Sequence, residues 1–144
     1  MAEAPRVLVV EARFYPEIAD ELCRGALAAL AEAGVRVERI AVPGAFEVPA
    51  AIAFALDAGG YDGFVALGCV IRGETSHYDH VCSESARGIA TLARESRAAI
   101  GFGILTCETR DQARVRAAMV QGNKGAAAAR ACLAMIALKR RLAG

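Results

Sequence analysis

Arg6-Val7-Leu8-Val9-Val10-Glu11-Ala12 decides the fold. Its apolar run is too short and too continuous for one face of a helix, so it reads as a strand buried on both faces. A strand of that kind needs helices on either side, and the next segment supplies one. Pro16 stands where a first helical turn tolerates it. Ile18, Leu22, Ala26 and Leu30 then recur at i, i+4 spacing up to Gly34, a suitable residue just beyond a helix end. The alternation continues along the chain. Strands are expected at Val35–Val42, Gly63–Arg72 and Ala99–Leu105. Helices are expected at Phe46–Ala58, His77–Arg97, Thr109–Ala118 and Lys124–Leu142, with Pro49 confined to a first turn and Gly122-Asn123 breaking the last two apart. The order βαβαβαβαα predicts a parallel sheet with helices on both faces. Four strands make a small sheet, so an edge is expected to need cover.

Composition narrows the class. The chain has 144 residues, 56% hydrophobic, with a net charge of +1. That length suits one domain, taken as residues 1–144, with a core that needs no disulfide or metal staple. The near-neutral charge argues against nucleic acid and against a membrane surface as partners. Met1–Arg6 carries Glu3 and no apolar core of a secretory signal. No stretch approaches the roughly 18 apolar residues of a membrane span. The five cysteines (Cys23, Cys69, Cys82, Cys107, Cys132) are odd in number and form no C-x-x-C, so they read as buried thiols of a cytoplasmic protein. Alanine accounts for 33 residues, an excess of small apolar surface that suggests packing between subunits.

In an open parallel sheet, ligands bind beyond the carboxyl ends of the strands. That rule selects four loops. The first, Glu11-Ala-Arg-Phe-Tyr-Pro16, offers Phe14, a ring either folded back onto the core or free to stack on a planar ligand, with position alone favouring the core. The second, Val42-Pro-Gly-Ala-Phe-Glu47, offers Phe46 and Glu47. Glu47 is either an acid favoured by a helix dipole or a carboxylate that accepts from sugar hydroxyls. The third, Cys69-Val-Ile-Arg-Gly-Glu-Thr-Ser-His77, is a polar turn opening a helix, whose free N–H groups suit a phosphate. It lacks the spacing of a nucleotide P-loop or a dinucleotide fingerprint, so a single small phosphoester fits best. His77 at its edge is placed for proton transfer. His80 reads as structural, and a metal site on the two histidines with Asp79 or Cys82 is not expected. The fourth is Leu105–Thr109. Beyond the loops, Phe102 reads as core and Arg116 as one of a solvated arginine face. Lys124 opposes the dipole of the helix that it opens, a local conflict of the kind found at functional sites.

Taken together, Arg13-Phe14, Val42-Pro-Gly-Ala-Phe-Glu-Val-Pro49, Gly68 to Cys82, Phe102-Gly-Ile-Leu-Thr-Cys-Glu-Thr109 and Gly122-Asn-Lys-Gly125 resemble the 6,7-dimethyl-8-ribityllumazine synthase family. The five segments fall in the family's order over essentially the whole chain. The resemblance implies a flavodoxin-like three-layer α/β sandwich with strand order 2-1-3-4. It implies a transferase of riboflavin biosynthesis that needs no cofactor or metal. The reaction condenses 5-amino-6-(D-ribitylamino)uracil with 3,4-dihydroxy-2-butanone 4-phosphate and releases phosphate and water. It assigns Phe14 to stacking on the pyrimidine, and Ala45, Phe46 and Glu47 to the ribityl chain and ring edge. Cys69, Val70 and Ile71 would offer backbone groups to the pyrimidine. Glu74 and Thr75 would bind the phosphate, and His77 would carry protons. From a neighbouring subunit, Phe102 would reach the pyrimidine and Arg116 the phosphate, with Lys124 in support.

The implied partners are small-molecule substrates, further copies of the chain with sites at subunit interfaces, and riboflavin synthase as the pathway partner. Two departures stand out. Tyr15 follows Phe14 where the family often has Asn, and Ala117–Gly122 lacks the Gly-Thr-Lys-Ala-Gly-like run of shell-forming members. The second departure, with the short arm before the first strand, favours a homopentamer over a sixty-subunit capsid. A flavin-binding module on the same fold is the alternative function; its expected sign is loss of the anion and proton groups, yet His77, Arg116 and Lys124 are present. A response-regulator-like domain would need an acidic cluster at the strand ends, whereas the first loop offers only Glu11 and no Asp ends the third strand.

Overall fold

A computed structural model describes residues 3–144, so Met1 and Ala2 of the stretch read for a secretory signal lie outside the described residues. The chain forms β1 (Arg6–Ala12), α1 (Pro16–Glu32), β2 (Arg36–Val42), a 3-10 turn (Ala45–Glu47), α2 (Val48–Ala58), β3 (Gly63–Ile71), α3 (His77–Glu95), β4 (Ile100–Cys107), α4 (Arg110–Ala117) and α5 (Lys124–Ala143). The strands make one parallel sheet of order β2-β1-β3-β4. This is the flavodoxin-like order, and β1 sits inside the sheet as its unbroken apolar run requires.

Alternation along β1 and β3 splits the core into two layers. Val7, Val9, Val65 and Leu67 face α1, α4 and α5, where Leu22, Leu30 and Ala129 meet them. Leu8, Val10, Phe64 and Ala66 face α2 and α3, where Ile52 and Ile89 meet them. β2 is the exposed edge. Its Arg36, Glu38 and Arg39 put charge along the unpaired side, which discourages edge-to-edge pairing.

The alanines turn out to act first within the chain. α5 buries Gly125, Ala126, Ala128, Ala129 and Cys132 and so lies unusually close to its neighbours. A Cβ on Gly101 would stand 2.7 Å from the Ala128 carbonyl carbon, and one on Gly125 would stand 2.8 Å from the Leu22 carbonyl carbon. Backbone that close leaves room for no side chain. The opposite face of α5 keeps Ala127, Ala131, Met135 and Leu138 exposed. On α5, that face of the small-residue surface is free to meet another copy.

Several boundaries differ from expectation. β4 runs two residues past Leu105, because Thr106 and Cys107 still find partners in Val70 and Ile71. Thr109 caps α4 from outside, its hydroxyl accepting from the Gln112 N–H at 3.2 Å. α3 stops at Glu95, and Arg97 turns the chain at φ 55°. Phe46 and Glu47 lie in the 3-10 turn, one step before α2. Cys82 is half-buried, unlike the other four cysteines. No helix among the described residues is long and apolar enough to cross a membrane.

Candidate active site

A cavity of about 620 Å³ opens at the carboxyl ends of β1 and β3. The loop after β1 puts Phe14 on its rim, 69% exposed, so the ring is not folded onto the core. The 3-10 turn contributes Ala45, Phe46 and Glu47, with Ala45 buried and Phe46 57% exposed. Cys69, Val70 and Ile71 form the floor at the end of β3. Thr75 and His77 complete the far side, the Thr75 hydroxyl accepting from the His77 backbone N–H at 3.3 Å. Glu74 is exposed in the same turn but does not line the cavity.

Phe102, Arg116 and Lys124 lie elsewhere. They line a second cavity of about 370 Å³ between β4 and α5, together with Thr106 and the outward alanines of α5. Phe102 is 46% exposed, which corrects the reading of it as core. Residue 102 is on an edge strand with its side chain at the mouth of that cavity, so nothing stacks above it. Arg116 donates from Nη1 to the Gln112 carbonyl at 3.1 Å, one turn earlier in α4. Of the thirteen expected residues, nine therefore line a first cavity with an aromatic rim and a histidine, three line a second with two cations, and Glu74 lines neither.

Charge networks brace the first cavity. Glu11, only 4% exposed, accepts from Arg39 Nε at 2.7 Å and Nη2 at 3.2 Å, and from Arg13 Nη1 at 2.9 Å. Arg13 also bonds Asp20 and the Pro16 carbonyl, so it ties both ends of the loop that carries Phe14. Burial pushes the Glu11 carboxyl up, but the bonds and charge of Arg39, with bonds from Cys23 and Arg13, outweigh it and hold the group below its ordinary range. On the other side, Arg72 Nε donates to both Glu108 carboxylate oxygens at 2.9 and 3.0 Å, Nη1 reaches Asp79 at 3.5 Å, and the guanidinium lies 4.3 Å over the Tyr78 ring. It thereby joins the end of β4 to the first turn of α3. Burial pushes the Cys69 thiol up to about 12, so the sulfur on the cavity floor is no thiolate nucleophile at neutral pH. Among the described residues, no three His, Cys, Asp or Glu side chains are gathered as a metal site.

Sequence reasoning missed Tyr15, Tyr78 and Val81, which also line the first cavity. Tyr78 and Val81 sit three residues apart on α3 just after His77, a spacing that puts them on one face. Tyr15 could have been found from its position beside Phe14 at a strand end.

The family model for 6,7-dimethyl-8-ribityllumazine synthase matches residues 4–140. The chain belongs to the 6,7-dimethyl-8-ribityllumazine synthase family. Among curated lumazine synthases, that of Methylobacterium radiotolerans is 57% identical over 135 residues, covering 94% of this chain and 82% of the relative. That of Bartonella tribocorum is 54% identical over 142 residues, covering 98% and 94%. A relative from Rhizobium meliloti named 6,7-dimethyl-8-ribityllumazine synthase 1 is 55% identical over 141 residues, covering 94% and 92%. The family match thus spans all four strands of the sheet.

Proposed function

We propose that this chain condenses 5-amino-6-(D-ribitylamino)uracil with 3,4-dihydroxy-2-butanone 4-phosphate to give 6,7-dimethyl-8-ribityllumazine, phosphate and water. Family membership over nearly the full chain carries the reaction. One structural observation supports it: a single cavity holds an exposed aromatic rim, a carboxylate and a histidine at a helix N-terminus.

The chemistry follows from those groups. Phe14 stacks on the pyrimidine, and the ends of Cys69, Val70 and Ile71 present backbone donors and acceptors to its edge. Glu47 accepts from ribityl hydroxyls, beside Ala45 and Phe46. Thr75, with Glu74 and the first N–H groups of α3, receives the ketone phosphate. The pyrimidine amine attacks the ketone and loses water to form an imine. A proton then leaves carbon, phosphate departs, and the ribitylamino nitrogen closes the ring on the remaining carbonyl with loss of a second water. His77 moves protons in these steps. Holding two substrates in register supplies much of the rate.

The cations of this reading stand in the second cavity. We assign them to the site of a neighbouring copy, where Phe102 meets the pyrimidine, Arg116 pairs with the phosphate in a fork geometry and Lys124 adds charge. A head-to-tail contact of this kind closes into a ring when the rotation allows. A homopentamer in the cytoplasm, not a sixty-subunit capsid, is the assembly proposed, with riboflavin synthase as the enzyme that consumes the product. The test is absorbance of lumazine formed by the purified protein from the two substrates. Formation of lumazine with one phosphate released per turnover supports the reading. A yellow protein that binds flavin but forms no lumazine overturns it.

A further inference from the structure

Phe14 projects from the end of β1 with most of its surface in solvent. A ring so placed is free to turn, and freezing it on a ligand costs binding energy. Tyr15 removes that freedom. Its ring meets Phe14 at 5.0 Å between centroids and 77° between planes, the edge-to-face arrangement aromatic pairs favour. Tyr15 is itself fixed. It packs against the core layer beneath α1, and the Arg110 guanidinium lies 5.4 Å over its ring. Arg110 in turn pairs with Glu17. The backbone on either side is held as well: Arg13 N–H bonds the Val42 carbonyl at 3.2 Å, and the Tyr15 carbonyl accepts from the Ala19 N–H at 2.9 Å. A chain of contacts therefore runs from α4 and the core through Tyr15 to the ring on the cavity rim.

We infer that Tyr15 is a positioning residue that presets the Phe14 ring for stacking on the pyrimidine. The inference rests on the proposed reaction, and it predicts a selective effect. Only the substrate that stacks depends on the preset ring; the phosphate partner binds at the other end of the cavity.

The experiment is steady-state kinetics with both substrates varied, on the parent protein and on Tyr15→Leu, Tyr15→Phe, Phe14→Ala and Phe14→Ala/Tyr15→Leu, each checked by thermal melting. Leu keeps apolar bulk on the core but loses the aromatic edge. Tyr15→Leu is expected to raise KM for the pyrimidine about two- to tenfold, the range of one aromatic pair, with KM for the ketone phosphate unchanged. Tyr15→Phe keeps the ring and is expected to match the parent. In the Phe14→Ala background, Tyr15→Leu is expected to add no further loss, since the pair acts as a unit. Equal shifts in both KM values overturn the inference, as does full additivity of the two substitutions. An inactive parent protein overturns the proposed reaction and the inference with it. An active parent with an unaffected Tyr15→Leu overturns the inference alone.

Discussion

Gly101→Ala tests whether the close seating of α5 is what builds the second cavity. A Cβ at this position would fall 2.7 Å from the Ala128 carbonyl carbon and 3.2 Å from the Cys132 nitrogen, while ordinary contact begins at 3.4 Å. Both neighbours are helix backbone and cannot rotate aside. α5 must withdraw from β4 by more than 0.7 Å, the difference between 3.4 and 2.7 Å, because the Ala128 carbonyl oxygen lies closer still than its carbon. The same helix is pinned at its start, where Gly125 lies against the Leu22 backbone, so it cannot slide freely. Overpacking of this type costs about 3 kcal/mol. For a chain of this length that lowers the melting temperature by about 10 °C. Gly73→Ala is the control, since a Cβ there meets nothing within 4 Å. Melting is measured at matched protein concentration, because assembly stabilises the fold. Turnover should fall as well, since α5 carries Lys124 and the alanines of the second cavity. A Gly101→Ala protein melting within about 2 °C of the parent would refute the reasoning.

Three further outcomes are expected. Arg116→Ala nearly abolishes lumazine formation while His77→Ala lowers kcat only moderately, about a hundredfold, the low end for a lost general acid–base group; steady-state rates of both variants decide this, and an unaffected Arg116→Ala sinks the phosphate assignment. Glu11 contributes stability through a carboxyl held below its unfolded value. That contribution is full above the unfolded value and is lost as pH falls through the folded one. Denaturant titrations of the parent and Glu11→Gln should therefore differ most at neutral pH, begin to converge near the unfolded value of about 4, and meet only below the lower folded one; a pH-independent gap contradicts this. Alkylation of the native protein at pH 8 should label Cys82 first, because the other four thiols are buried, with Cys23 pushed up to about 11 and Cys132 to about 12 by burial; mass spectrometry of the labelled peptides reads the order.

Much of this architecture is visible in the sequence, for a physical reason. Strands buried on both faces need continuous apolar runs, and Val7–Val10 and Phe64–Val70 have few other uses. The end of β4 was harder to read, because Thr106 is polar and stays exposed, while pairing to Val70 prolongs the strand. Phe14 and Phe102 were ambiguous for another reason. An aromatic at a strand end or on an edge strand has the same local pattern whether covered or bare, and only the arrangement of neighbouring elements decides. Nor does spacing along the chain show that His77 and Arg116 open into different cavities. That separation depends on α4 and α5 crossing to the face opposite α3, a property of the topology. The alanine excess had a double meaning that composition could not divide: one face of α5 seats the helix on its own sheet, and the other remains open.

The central claim is that the two cavities of one chain are halves of two different catalytic sites. Co-assembly of two damaged proteins tests it most directly. One carries Phe14→Ala/His77→Ala in the first cavity, the other Arg116→Ala in the second. Mixed after joint unfolding and refolding in equal amounts, they pair an intact first cavity with an intact second one in about a quarter of head-to-tail contacts. Lumazine formation by the mixture should therefore rise to about a quarter of the parent rate, well above either variant alone. A mixture no more active than the average of its two components would contradict the shared site.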